Sequence, residues 1–249
     1  MNRSIESFKS MSKSLVNFQT PSEKASYVRN MFDQISGRYD LMNRVMTGGQ
    51  DVRWRRLAIE KAQLPVDGKL LDIACGTGDL AFSALPKQPE LVAAADFSLN
   101  MVRIGKEKLR DHETIRFLGA DGLAMPFRTG SFDAVVTGFS MRNVIDVGTF
   151  IAEMARVVRP GGKVVILEIT PVNNRLFGPL FRFYFHKVVP FVGGLLSGNR
   201  DAYTYLPQSV DIFLTADQLK EKMAQTGLRD VHYRKLNFGT VALHWGTVG

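Results

Sequence analysis

Residues 69–81 read Lys69-Leu-Leu-Asp-Ile-Ala-Cys-Gly-Thr-Gly-Asp-Leu-Ala81. Leu70, Leu71, Ile73 and Ala74 form a short apolar run suited to a buried parallel strand. Gly76 and Gly78 follow where a backbone must turn sharply and approach a ligand, and Asp79 is placed to cap the next helix. A second apolar run, Leu91 to Ala95, ends in Asp96. An acid at the tip of a second strand is positioned to accept two hydrogen bonds from a ribose diol. Strand, glycine turn, helix, strand and acid together predict a nucleoside-binding βαβ unit.

Two nucleosides compete for that unit. Gly76-x-Gly78-x-x-Ala81 satisfies a loose dinucleotide fingerprint, and a tight strand–helix turn without any ligand has the same letters. Asp72, four residues before Gly76, points the other way: it can meet a cationic amino group, whereas a pyrophosphate would be repelled. The unit also begins near residue 68, behind a long helical lead-in. Asp72-x-x-x-Gly76-x-Gly78 followed by Asp96 resembles the S-adenosylmethionine site of class I methyltransferases.

At 249 residues and 45% apolar content the chain suits one large α/β domain. Its net charge of +8 is unevenly spread. Lys and Arg number 12 against 7 acids over residues 1–69, 11 against 12 over 70–170, and 9 against 5 over 171–249. The nucleoside-binding middle is thus near neutral, and basic flanks can meet nucleic acid, anionic lipid or only water. Cys75 is the single cysteine, so neither a disulfide framework nor a cysteine metal site is expected, and no metal is assigned. No apolar run is long enough for a transmembrane helix, and no secretory signal is present.

Residues 1–21 read as a flexible tail and 22–249 as one domain, divided into a helical lid (22–66), a nucleoside-binding core (67–170) and a substrate- or membrane-facing remainder (171–249). Tyr39 lies in a segment able to close over the nucleoside. Ser98 caps a helix, residues 115–119 form a third strand, and Asp121-Gly122 beyond it is either a plain turn or an acceptor for the adenine amine. Ala134 to Gly138 makes a fourth strand, whose tip carries Phe139, Arg142 and Asn143 toward the site. A helix over Val147–Val158 stops at Arg159-Pro-Gly-Gly162, and Lys163 to Ile169 forms a fifth strand in which Glu168 needs a partner to be buried. Residues 175–198 are the most apolar stretch; they suit a core helix, the lining of a greasy channel or a membrane-interface helix. Asn199 to Pro207 reads as a polar, aromatic loop. A helix capped by Thr215 and a closing β-hairpin, Leu228–Leu236 with Val241–Trp245, complete a seven-stranded sheet.

With those segments in place, the chain resembles the ubiquinone/menaquinone biosynthesis C-methyltransferase family over about residues 28–246. The resemblance is carried by Gly37-Arg-Tyr-Asp-Leu-Met-Asn43, Leu71-Asp-Ile-Ala-Cys-Gly-Thr-Gly-Asp79, Gly138-Phe-Ser-Met-Arg-Asn-Val144, Met154-Ala-Arg-Val-Val-Arg-Pro-Gly-Gly162, Asp201-Ala-Tyr-Thr-Tyr-Leu-Pro207 and Ala242-Leu-His-Trp-Gly246. Ser140 replaces a glycine usual in the family. The resemblance implies a Rossmann-like class I fold with a C-terminal hairpin, and S-adenosylmethionine held at Asp72, Gly76, Thr77, Gly78, Asp96, Asp121 and Gly122. It implies C-methylation of a polyprenyl quinol; for the polar partner of that quinol we expect Arg142, with Asn143 beside it, as the catalytic pair, Tyr203 and His244 as reserves, and Tyr39 and Phe139 around the substrate. A cytoplasmic protein resting on the membrane surface, able to dimerise and without a nucleic-acid partner, is the matching expectation. An RNA or protein methyltransferase, the reading the positive charge supports, needs an Asn-Pro-Pro-Tyr-like or cysteine signature after the fourth strand, where this chain has Gly138-Phe-Ser-Met-Arg-Asn143. A non-enzymatic S-adenosylmethionine-binding subunit is the other alternative.

Overall fold

The computed structural model describes Phe18 and residues 20–109, 112–172 and 177–249. The chain runs α1 (Pro21–Ile35), α2 (Tyr39–Thr47), α3 (Gln50–Ala62), β1 (Lys69–Ile73), α4 (Asp79–Ala84), β2 (Leu91–Asp96), α5 (Leu99–Lys108), β3 (Ile115–Gly119) and β4 (Phe132–Gly138). It continues α6 (Val147–Val157), β5 (Val158–Ile169), α7 (Phe177–Phe183), a π-helical turn (Tyr184–Val188), α8 (Val189–Ser197), α9 (Arg200–Asp211), α10 (Ala216–Gln225), β6 (Arg229–Leu236) and β7 (Val241–Thr247). The tail expected over residues 1–21 lies almost wholly outside the described residues.

All seven strands join one sheet in the order β3-β2-β1-β4-β5-β7-β6. The first five pair in parallel, whereas β7 runs antiparallel between β5 and β6. The period-2 alternation of strand side chains splits the core into two layers. Leu70, Ala94 and Val136 face α3 and α4, while Leu71, Ala95 and Val135 face α6 and α10. A third apolar cluster joins α1, α2 and the α7–α9 segment through Met31, Met42, Phe185 and Tyr205. Chain order reverses between β1 and β4, so the crevice at their carboxyl ends is where an open α/β sheet binds ligands.

Three local expectations are corrected. Asp79 opens α4 as its first helical residue and Gly78 takes the cap position, so the Asp79 carboxylate is free to pair with Lys108 at 3.0 Å. Arg159-Pro-Gly-Gly162 ends α6 but does not interrupt the strand: β5 starts at Val158, and the Gly161 N–H donates 2.8 Å to the Val248 carbonyl. Asn199 to Pro207 is helical. The Asn199 side chain caps α9 by accepting from the Ala202 N–H, and burial of Tyr203, Tyr205 and Pro207 holds a proline inside the helix.

Candidate active site

Beyond β1 the chain turns through three left-handed residues, Ala74 (φ 55°), Gly76 (φ 57°) and Gly78 (φ 88°). The Gly76 N–H donates 2.7 Å to Asp96 Oδ2, and the Ser98 N–H donates 2.8 Å to Oδ1. Burial raises the Asp96 pKa, and these two backbone donors oppose it. A carboxylate offers about four lone-pair sites, so one remains on each oxygen, as a vicinal diol needs. Asp96 lines a cavity of about 170 Å³ together with Gly76, Phe97, Asp121, Gly122 and Ser140. A Cβ on Gly122 would sit 2.1 Å from the Phe150 ring, so only glycine fits that wall. The acceptor set therefore suits a nucleoside carrying a ribose and an exocyclic amine.

Four of the seven expected cofactor residues, Gly76, Asp96, Asp121 and Gly122, line this cavity. Asp72, Thr77 and Gly78 shape the turn from behind it. A Cβ on Gly78 would meet the Phe117 ring at 2.4 Å. The Thr77 hydroxyl donates 2.5 Å to Asp40 Oδ1, and Lys108 Nζ donates to Asp40, Asp79 and Thr77 at 2.9, 3.0 and 3.2 Å. Asp72 is fully buried; its Oδ2 accepts from the Ala81 N–H at 3.0 Å and its Oδ1 has no partner. Burial pushes its pKa up to about 8.

A second cavity, about 500 Å³, is walled by Trp54, Phe181, Phe185, Tyr203, Tyr205 and Arg142. It shares Phe32, Tyr39, Phe139 and Asn143 with the first. The Tyr39 ring lies over the glycine turn: a Cβ on Gly76 would stand 3.7 Å from its edge. Phe139 has φ 58°, an uncommon conformation for a bulky side chain, at the junction of the two cavities. Arg142 Nη1 donates 2.7 Å to Glu168 Oε1 and 2.6 Å to the Phe139 carbonyl. The Tyr205 hydroxyl and Asn143 Oδ1 are buried without partners, and burial pushes the Tyr205 pKa up to about 12.

His244 is not brought to this cavity. Its ring is buried beneath α10, with Nε2 2.9 Å from the Ala216 carbonyl, and burial lowers its pKa to about 4. A neutral ring there donates to that carbonyl and packs against Tyr233. Sequence reasoning missed Asp40, Lys108 and Tyr205; the first stands beside Tyr39, and the last is buried by a helix where a loop was expected. Among the described residues, no three His, Cys, Asp or Glu side chains are grouped to hold a metal ion.

Leu41, Val45, Leu180, Phe183, Phe191 and Leu195 are exposed. The Tyr184 hydroxyl donates 3.2 Å to the Met46 carbonyl, and Arg38 donates to the Leu196 carbonyl, so α2 and α7–α8 sit side by side. Their apolar side chains flank the cavity, which Val45, Met46 and Tyr184 line. Arg38, Arg182 and Lys187 are exposed in the same region. No helix among the described residues is long and apolar enough to cross a membrane.

A model of the ubiE/COQ5 methyltransferase family matches residues 20–248. A demethylmenaquinone methyltransferase from Thermus thermophilus is 44% identical over 218 residues, covering 87% of this chain and 99% of its own. A ubiquinone/menaquinone biosynthesis C-methyltransferase from Desulfotalea psychrophila is 41% identical over 224 residues, covering 90% and 91%. Among solved structures, the cyclase SpnF matches with a TM-score of 0.63 at 19% identity, covering 86% of this chain and 76% of its own. A SAM-dependent methyltransferase from Thermotoga maritima matches with a TM-score of 0.63 at 15% identity, covering 88% and 99%. At those identities the structural likeness is one of fold.

Proposed function

We propose, from the premise that the chain belongs to the ubiE/COQ5 methyltransferase family, that it methylates a ring carbon of a prenylated quinol, converting demethylmenaquinol to menaquinol. The observation that carries this reading is the meeting of two cavities, one carrying Asp96 and Asp121, the other larger, rich in aromatic side chains and carrying Arg142, at Phe32, Tyr39, Phe139 and Asn143.

S-adenosylmethionine, when bound, supplies a sulfonium methyl whose bonding pair stays on sulfur as the methyl leaves. Asp96 holds the ribose diol and Asp121, with the Gly122 backbone, the adenine edge. Asp72, protonated beneath the turn in the free protein, gives up its proton when a cationic cofactor binds, a gain that a pyrophosphate would not offer. The substrate ring contributes the electron pair of the new carbon–carbon bond and then gives up that carbon's hydrogen as a proton. Arg142 and Asn143 engage a ring oxygen, which raises electron density on the adjacent carbon. Arginine stays protonated, so its part is to orient the quinol and stabilise a developing phenolate. Tyr39 and Phe139 keep the junction dry and offer aromatic faces to a cation. Holding both reactants in line can recover roughly 7–11 kcal/mol of the barrier. The exposed apolar face of α2 and α7–α8, edged by basic residues, rests on an anionic membrane and feeds the lipid-borne substrate into the second cavity.

The test is a product assay with purified chain, S-adenosylmethionine and either demethylmenaquinol or the corresponding benzoquinol. Methylated naphthoquinol is expected, and R142A should lower turnover far more than cofactor affinity. Absence of methylated quinol from both substrates would overturn the reading.

A further inference from the structure

Arg142 does not stand alone in the wall of the substrate cavity. Its Nη1 is bound to Glu168 Oε1 at 2.7 Å, and its own N–H lies 3.3 Å from Glu168 Oε2. Glu168 is fully buried near the end of β5, and Oε1 also accepts from the Ile169 N–H at 2.8 Å. The Phe139 carbonyl takes a second bond from Nη1, and Phe139 is one of the side chains common to both cavities. The guanidinium is therefore gripped on one edge by an acid set in the sheet and by the strained residue at the junction. Its plane is fixed, and its charge is paired before any ligand arrives.

We propose that Glu168 is a positioning residue for methyl transfer: it orients the Arg142 guanidinium toward the ring oxygen and cancels its charge, so the site receives the quinol in its neutral form. This rests on the reading of Arg142 given above. An acid that merely filled space in the core would not need both oxygens committed to one residue's side chain and backbone. The same pairing explains how an apolar cavity tolerates a buried arginine, since a lone buried charge is far costlier than a paired one. Charged and titratable groups facing the pair come from three further elements. Lys24 of α1 donates to the Arg142 and Val144 carbonyls at 3.4 and 2.8 Å. The Tyr205 phenol of α9 feels both Arg142 and Glu168, and the Tyr39 phenol of α2 feels Arg142.

Two variants separate orientation from charge. E168D keeps the charge but withdraws it by one methylene, so Arg142 is displaced while the electrostatics persist. Turnover at saturating substrates should fall roughly 10–100-fold, the size of an ångström-scale misplacement, with the acid limb of the pH–rate profile unmoved. E168Q leaves the guanidinium unpaired beside the ring oxygen. Its acid limb should move down by about one pH unit or more, because an uncompensated cation at that range favours the phenolate. In both variants S-adenosylmethionine affinity, measured by calorimetry, should stay within about twofold of the parent, marking the proteins as folded. Parent-like turnover in folded E168D would overturn the role of Glu168 even if E168Q failed to fold, provided R142A loses activity. If R142A also turns over normally, it is the Arg142 reading that falls.

Discussion

Asp72 supplies the sharpest test of the electrostatics beneath the glycine turn. It sits inside β1 at zero exposure, with one oxygen bound to the Ala81 N–H and the other unpartnered. Burial leads in raising its pKa from 3.8 to about 8, the Asp96 and Asp79 charges add to the rise, and the Ala81 N–H and Arg55 oppose it. In the unfolded chain the acid ionises near its ordinary value. Between about pH 4 and pH 8 the folded state therefore holds a proton that the unfolded state lacks. Stability falls as pH rises through that window, and the loss is complete above it. At about 1.4 kcal/mol per unit the ceiling is ~6 kcal/mol. D72N keeps an oxygen for Ala81 and cannot ionise. It should exceed the parent by no more than about 2 kcal/mol at pH 5 and by several kcal/mol at pH 9. Urea unfolding at pH 5, 7 and 9, with unchanged m values, measures the difference. Calorimetry in buffers of different ionisation enthalpy adds a second readout: the parent should release a proton on binding the cationic cofactor near pH 7, and D72N should not. A gap between the two proteins that is constant with pH would refute a buried, protonated Asp72.

D96N leaves one of the two backbone donors facing an amide N–H₂ and removes a charged acceptor from the diol; S-adenosylmethionine affinity should drop roughly 10–100-fold by calorimetry. G193A places a Cβ 2.2 Å from the Tyr203 ring, forcing α8 off α9. It should lose about 1–3 kcal/mol of stability and raise the quinol KM, with cofactor affinity preserved. The F191E/L195E double variant, altering two exposed side chains of α8, should abolish sedimentation with anionic vesicles at low salt while retaining activity on a short-chain quinol in detergent. Unchanged sedimentation would place the membrane contact elsewhere.

The parallel half of the sheet was legible because its signals are local: an apolar run, two glycines and an acid lie within thirty residues, and each strand of the later hairpin carries its own alternation. Thr215 was readable as a cap for the same reason, and the structure adds the reciprocal bond, in which the Thr215 N–H donates to Gln218 Oε1. What escaped was pairing at long range. Lys108 bonds to Asp40 across 68 positions and Arg142 to Glu168 across 26, and no periodicity links such residues. The helical state of Asn199–Pro207 was hidden by its proline and polar letters; burial of Tyr203 and Tyr205 overrides the local preference. His244 was misplaced because strand parity alone does not say which layer a residue near the sheet's edge will face.

Helix α1 lends Phe32 to both cavities and Ala25, Val28 and Arg29 to the smaller one. At about 170 Å³ that chamber is the smaller of the two, and α1 forms part of its wall. The fastenings of α1 are both polar and apolar: Asp33 to Ser98, Lys24 to the Val144 carbonyl and Gln34 to Asn199, with Met31, Ile35 and Tyr27 packed into the cluster that holds Tyr205. The same helix borders the neighbouring chamber, so the two ligand spaces share one wall, and any substitution that loosens α1 is felt by both.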